Sequence, residues 1–204
     1  MARLAPLVIV AALAANASAD TFKLFGEVHG GGMYGAGTSG VQKDKAFFQN
    51  ARGGAYGALV GGEFLFFDAW IQHHQYFSNG LKTWTQFGVG VHFTSDLGSA
   101  EERKAGKGNY IEFGGGLWFG VGTGAQVMPP LDNAQITDKA LIGEGRLGFG
   151  KHLDKVFDLG VVVPVSYGYF IKSGNGAAAN DLDNHYRGFQ VEALLALRAN
   201  IRLF

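Results

Sequence analysis

The 204-residue chain contains no cysteine. That excludes disulfides, thiol chemistry and an acylated lipoprotein cysteine, so any exported form must fold without covalent staples. Charge is scarce as well: Asp, Glu, Lys and Arg make up 17% of residues, against about 25% in soluble domains. No apolar run reaches the ~18 residues of a membrane-spanning helix. The 33 glycines show no three-residue period, which excludes collagen. Against these absences stand 47% hydrophobic and 13% aromatic residues, far too many for a disordered chain.

Residues 1–19 read as a secretory signal peptide. Arg3 supplies the positive start, Leu4 to Ala15 the apolar run, and Ala17-Ser18-Ala19 the cleavage pattern. Residues 20–204 are then one domain, with a single net negative charge once Arg3 is removed. A near-neutral chain offers no electrostatic footprint for nucleic acid.

The dominant period is two, the signature of strands whose faces meet different solvents. In 21–37, Phe22, Leu24, Val28 and Tyr34 oppose Lys23, Phe25, Glu27, His29 and Met33. The pattern recurs in 55–64, 84–93, 110–121, 140–149, 157–170 and 189–203, and less cleanly in 69–77. In 69–77 the adjacent His73 and His74 must point to opposite faces, so they cannot share a metal; with Gln72 and Gln75 they read as a polar patch near an interface. Ser78-Asn79-Gly80 reads as a hairpin turn. Four separators are long: 38–53, 94–109, 122–139 and 171–187.

Eight such strands predict an all-β, eight-stranded antiparallel up-and-down barrel. Charge collects on the parity that holds the glycines, while the other parity is apolar. A soluble barrel needs a wet outside; this pattern instead gives an apolar outside and a polar lumen, the rule for transmembrane β-barrels. The lumen is predicted to hold a charge network of Lys23, Glu27, His29, Glu63, His92, Glu112, Glu144, Arg146, Glu192 and Arg198. An eight-stranded interior is only wide enough for side chains, so these charges are expected to pair with one another.

A signal peptide, eight amphipathic strands, a Gly-aromatic composition and a final Phe204 resemble the small eight-stranded outer-membrane β-barrel proteins of Gram-negative bacteria, the OmpA-domain and OmpX type. The resemblance is one of pattern over 20–204. In that family the terminal Phe lies in phase with apolar residues; here Arg198, Asn200 and Arg202 share its parity. The resemblance implies an integral outer-membrane location with both termini in the periplasm. Segments 38–53, 78–82, 122–139 and 171–187 then face outward, and 65–69, 94–109 and 150–156 face the periplasm.

Segment 94–109 is long and charged. It reads as a solvated flexible loop or, alternatively, as a docking loop for a periplasmic partner through Glu101, Glu102, Arg103, Lys104 and Lys107. In the outer loops Asp132, Asp181 and Asp183 could supply oxygen ligands to Ca²⁺, but they are equally the residues of Asx turns, and the EF-hand spacing is missing. No cofactor is otherwise expected. G-x-S-x-G, H-E-x-x-H and P-loop motifs are absent, so no enzyme is expected. The expected partners are outer-membrane lipid and envelope or periplasmic proteins. The expected role is a structural or interaction component of the envelope, anchoring an envelope-spanning assembly. The alternatives are a narrow, porin-like channel for ions or small solutes, and a lipid-modifying enzyme by family analogy.

Overall fold

The computed structural model describes residues 22–38, 51–77, 81–125, 135–174 and 187–203. In chain order these form β1 (Phe22–Thr38), β2 (Ala51–Phe64), β3 (Phe67–Phe77), β4 (Leu81–Asp96), α1 (Ala100–Lys104), β5 (Gly108–Ala125), β6 (Gln135–His152), β7 (Phe157–Gly174) and β8 (Arg187–Arg202). Each strand pairs antiparallel with the next, and β8 returns to β1, closing the barrel. Closure satisfies every ladder and leaves no sheet edge.

One end of the barrel carries the tight connections: Leu65-Phe66, the α1 segment 97–107, and 153–156. Phe22 and Leu203 also meet there, Leu203 N–H donating to the Phe22 carbonyl at 3.1 Å. We call this the turn end and the opposite one the distal end. The distal connections, including Ser78-Asn79-Gly80, lie outside the described residues, as do residues 1–21 and Phe204.

Inside and outside follow the predicted parity on seven strands; on β3, for which the sequence named no inner face, the even-numbered residues Asp68 to Tyr76 face inward. Outward residues such as Leu117 and Phe77 are 73% and 70% exposed, whereas inward Glu112 is fully buried. The side chains of a soluble core are turned outward here. Glycine on the inner parity makes room for the large polar groups. A Cβ on Gly148 would come within 2.6 Å of Glu112 Oε1, and one on Gly57 within 2.9 Å of His29 Nε2.

The strands run longer than their apolar alternation. β4 continues through Thr94, Ser95 and Asp96, and β6 begins at Gln135 rather than 140. Backbone pairing needs no apolar side chain, so the ladders continue where the pattern fades. The expected flexible loop at 94–109 is corrected accordingly. Its ends belong to β4 and β5, and its centre is the short helix α1. Ser99 caps that helix: its hydroxyl accepts from Glu102 N–H, and the Glu102 carboxylate accepts from Ser99 N–H, a reciprocal capping box.

Pro164 lies within β7 and faces inward. The β7–β8 ladder runs to Val162–Leu194 and resumes only at Val165–Val191. Proline has no N–H to give to the ladder, so the pairing lapses at its position.

Candidate functional site: two polar chambers in the lumen

All ten residues of the predicted charge network point into the lumen, where they fall into two groups. The first lies toward the turn end. Glu27 on β1 and Arg198 on β8 face each other directly across the barrel closure. Glu112 on β5 and Arg146 on β6 come from the opposite wall. Arg198 donates to Glu27 Oε2 from Nε (2.9 Å) and to Glu112 Oε2 from Nη1 (2.6 Å). Arg146 Nη2 donates to Glu27 Oε2 at 2.5 Å, and its Nε to Glu112 Oε1 at 3.4 Å. Two guanidinium groups thus bind two carboxylates across the full bore.

The group continues toward the turn end. His92 lies between Glu112 Oε2 (3.2 Å) and Glu63 Oε2 (3.1 Å), and Lys23 Nζ is 2.7 Å from Glu63 Oε2. Around these residues, with Asp68 and Trp70, is a chamber of about 20 Å³. Each acid here is met by a strong base, apart from Asp68, whose Oδ1 has no hydrogen-bond partner among the described residues. Such closed pairing is what burial of charge demands, since removing a partner leaves an uncompensated ion in a dry place.

The second group lies toward the distal end and is linked to the first through His29. His29 Nδ1 is 3.0 Å from Glu27 Oε1, and its Nε2 is 2.5 Å from Nε2 of His74. Carboxylate oxygens only accept, so His29 Nδ1 donates to Glu27; the two facing Nε2 atoms then hold one proton between them. His74 Nδ1 reaches the Tyr76 hydroxyl (2.8 Å), which donates to Glu192 Oε1 (3.0 Å). Gln190 Nε2 also donates to Tyr76 and to Glu192 Oε1. Across the chamber, Glu144 Oε2 accepts from Gln86 Nε2 (3.1 Å) and Ser166 Oγ (2.9 Å).

The distal chamber also measures about 20 Å³, room for one water-sized occupant. Its lining includes Gln72, Tyr76, Glu144, Pro164, Gln190 and Glu192. Among the described residues, no Lys or Arg lines it. Three of its oxygens, Gln72 Oε1, Gln190 Oε1 and Glu192 Oε2, are buried without a donor among the described residues. A dry orphan of this kind costs about 1–3 kcal/mol.

His74 and Gln72 were expected in a polar patch near an interface. The structure corrects this for both: they face the lumen, while His73 faces outward and bonds Thr85 Oγ1 at 2.7 Å. β3 carries polar residues on both faces, so its composition could not say which face was inner. Asp68, Tyr76, Gln86, Gln190 and Asn200 are further lumen residues that charge counting passed over. Strand parity on β4 and β8 was the available signal for three of them. Near the turn end, His152 sits between Asp158 Oδ1 (2.5 Å) and Asp96 Oδ1 (3.0 Å).

Glu101, Glu102, Arg103, Lys104 and Lys107 lie exposed on or just after α1, at the turn end. Accepting the Ser99 backbone N–H holds the Glu102 carboxyl below the ordinary range. Asp154, in the β6–β7 turn, is lowered in the same way by the N–H groups of Phe157 and Val156. Asp132, Asp181 and Asp183, the candidate Ca²⁺ ligands, lie outside the described residues.

Comparison with known proteins found no matching family model and no matching curated relative. Among solved structures, that of Neisserial surface protein A (NspA) aligns with 12% sequence identity over 88% of this chain and 96% of that chain, at a TM-score of 0.47.

Proposed function

We propose that this chain is an integral outer-membrane β-barrel protein, exported by the leader at 1–19. Its role in this reading is that of a structural or interaction component of the cell envelope, neither catalytic nor conducting. The observation that carries the membrane location is the reversal of burial. Outward faces are apolar and exposed, and charges are closed inside. In β7, the outward apolar row from Phe157 to Tyr169, at ~3.3 Å per residue and a tilt of ~40°, spans about 30 Å, the thickness of a bilayer's hydrocarbon core. The outward Arg52 and Arg187 lie at the distal ends of their strands, stacked over Tyr34 (5.6 Å) and Tyr169 (5.7 Å). Aromatic residues beside cations mark a headgroup boundary.

The cross-bore set of Glu27, Glu112, Arg146 and Arg198 supports a lumen that does not conduct. Interaction is then left to the two barrel ends. At the turn end, the capped α1 offers Glu101, Arg103, Lys104 and Lys107 to a periplasmic protein, as an anchor for an envelope assembly. Two measurements test the reading. Purified protein should insert into lipid bilayers without conductance; steady unitary currents would replace it with the channel alternative. Crosslinking in native membranes should capture a periplasmic protein, and deletion of 98–108 should abolish that capture; unchanged capture would sink the docking role.

A further inference from the structure

We propose that the distal chamber is a binding site for one small hard metal cation, taken up by oxygen ligands inside the barrel. Among the residues lining this chamber, the buried atoms without a partner among the described residues are all oxygens: Glu192 Oε2, Gln72 Oε1 and Gln190 Oε1. All three side chains belong to residues no more than 5% exposed. Glu144 adds a second carboxylate to the same lining, and Ser166 a hydroxyl. Carboxylates and amide carbonyls are the ligands of hard cations, and the imidazole in the lining, His74, is already engaged with His29 and Tyr76.

The Gln190 orientation is fixed by its other half. Gln190 Nε2 is spent on Tyr76 and Glu192 Oε1, so its oxygen must turn the other way. The Gln72 amide lies against His74, its oxygen without a donor among the described residues. His74 is the nearest basic side chain, and its Nδ1 approaches Glu192 Oε1 at 3.3 Å, leaving Oε2 open. Pro164 shapes the wall beside Glu192 by interrupting the β7–β8 ladder there. The chamber holds one water-sized body, which suits a single dehydrated ion.

The test uses the full barrel in detergent micelles, with Ca²⁺, Mg²⁺ and Na⁺ in separate titrations and Tb³⁺ as a luminescent stand-in for Ca²⁺. Trp84 lines the chamber and bonds Gln86 Oε1 at 2.9 Å, so it should sensitise Tb³⁺ emission. Expected is saturable binding of one ion per barrel by at least one of the four. Glu192→Gln should weaken it by roughly tenfold or more, the scale on which changes at metal sites act. Trp84→Phe should remove most of the sensitised emission. Circular dichroism checks that each variant folds; should Glu192→Gln misfold, Glu144→Gln makes the same test. A triple variant, Asp132→Asn with Asp181→Asn and Asp183→Asn, should bind as wild type. Absence of stoichiometric binding by all four ions overturns the proposal. So does affinity that survives Glu192→Gln and Glu144→Gln but is lost in the triple variant, which would place the ion in the loops.

Discussion

The two halves of the lumen both bury carboxylates and answer them differently. Toward the turn end, Glu27, Glu63 and Glu112 meet Lys23, Arg146 and Arg198 at 2.5–2.7 Å for the closest pairs. Toward the distal end, Glu144 and Glu192 meet only amides, hydroxyls and an imidazole. Both chambers are near 20 Å³, so space does not separate them. What separates them is charge. The turn-end set, Asp68 apart, is paired within the chain, and its guanidinium groups tie opposite walls together. The distal set has acids in excess and acceptors without donors. The first arrangement belongs to a strut, and the second to a site that takes a ligand.

The sharpest way to break this contrast is to remove the strut. Arg198→Ala leaves Glu27 and Glu112 short of a partner in a closed interior, and should cost about 3–5 kcal/mol in reversible urea unfolding. The matching distal change, Glu192→Gln, deletes a charge that has no strong base. Without added cation it should change stability by less than ~1 kcal/mol, or raise it, because a neutral amide is cheaper to bury. Equal losses in the two variants would mean that the halves are not different in kind.

Packing gives a second, smaller test. A Cβ on Gly90 would come within 2.7 Å of the Trp118 ring, and one on Gly116 would collide with the same ring. Gly116→Ala should therefore cost about 1–3 kcal/mol by overpacking. Trp118→Leu in the same chain should return part of the loss. A purely additive double variant would show that the ring is not what limits the position.

Two changes at the turn end serve as controls outside both chambers. Leu65, in the two-residue β2–β3 turn, has φ = 59°, left-handed for a residue with a Cβ. Leu65→Gly should relieve that and stabilise the barrel by about 1 kcal/mol, with Tb³⁺ binding unchanged. The smallest effect concerns acid. The Glu102 carboxyl lies lower in the folded protein than in the unfolded chain. Its contribution is therefore present above the unfolded value and is lost as pH falls through the folded one. Amides at Ala105 to Lys107 should lose hydrogen-exchange protection as pH falls through that folded value, while the core strands keep theirs. Protection of these amides that does not change with acid would sink the capping argument.

Much of the barrel was legible in the chain. On seven strands the alternation named the inner face, since Leu117 beside Trp118, or Leu197 beside Arg198, can suit only one orientation if the outside is apolar. β3 resisted because Gln72, His73, His74 and Gln75 put polar groups on both faces. The α1 turn was missed although Ser99 and Glu102 have the spacing of a capping box. Its high charge drew attention to solvation and away from local hydrogen bonds. Strand ends were missed because alternation fades there and backbone pairing does not.

Sequence by itself determined the class of object: an eight-stranded barrel, apolar outside and polar within, because a period of two assigns each residue a face whatever the register. It also named ten of the charged or imidazole side chains in the interior, though not His74 or Asp68. Only the tertiary structure decided who meets whom. Glu27 and Arg198 are partners because β8 closes onto β1, and Glu112 reaches them because β5 stands on the opposite wall. Strand stagger sets the height of every side chain in the bore, and no one-dimensional pattern records stagger. For that reason the division of one polar lumen into a self-paired strut and an acid-rich chamber became visible only when the sheet was closed.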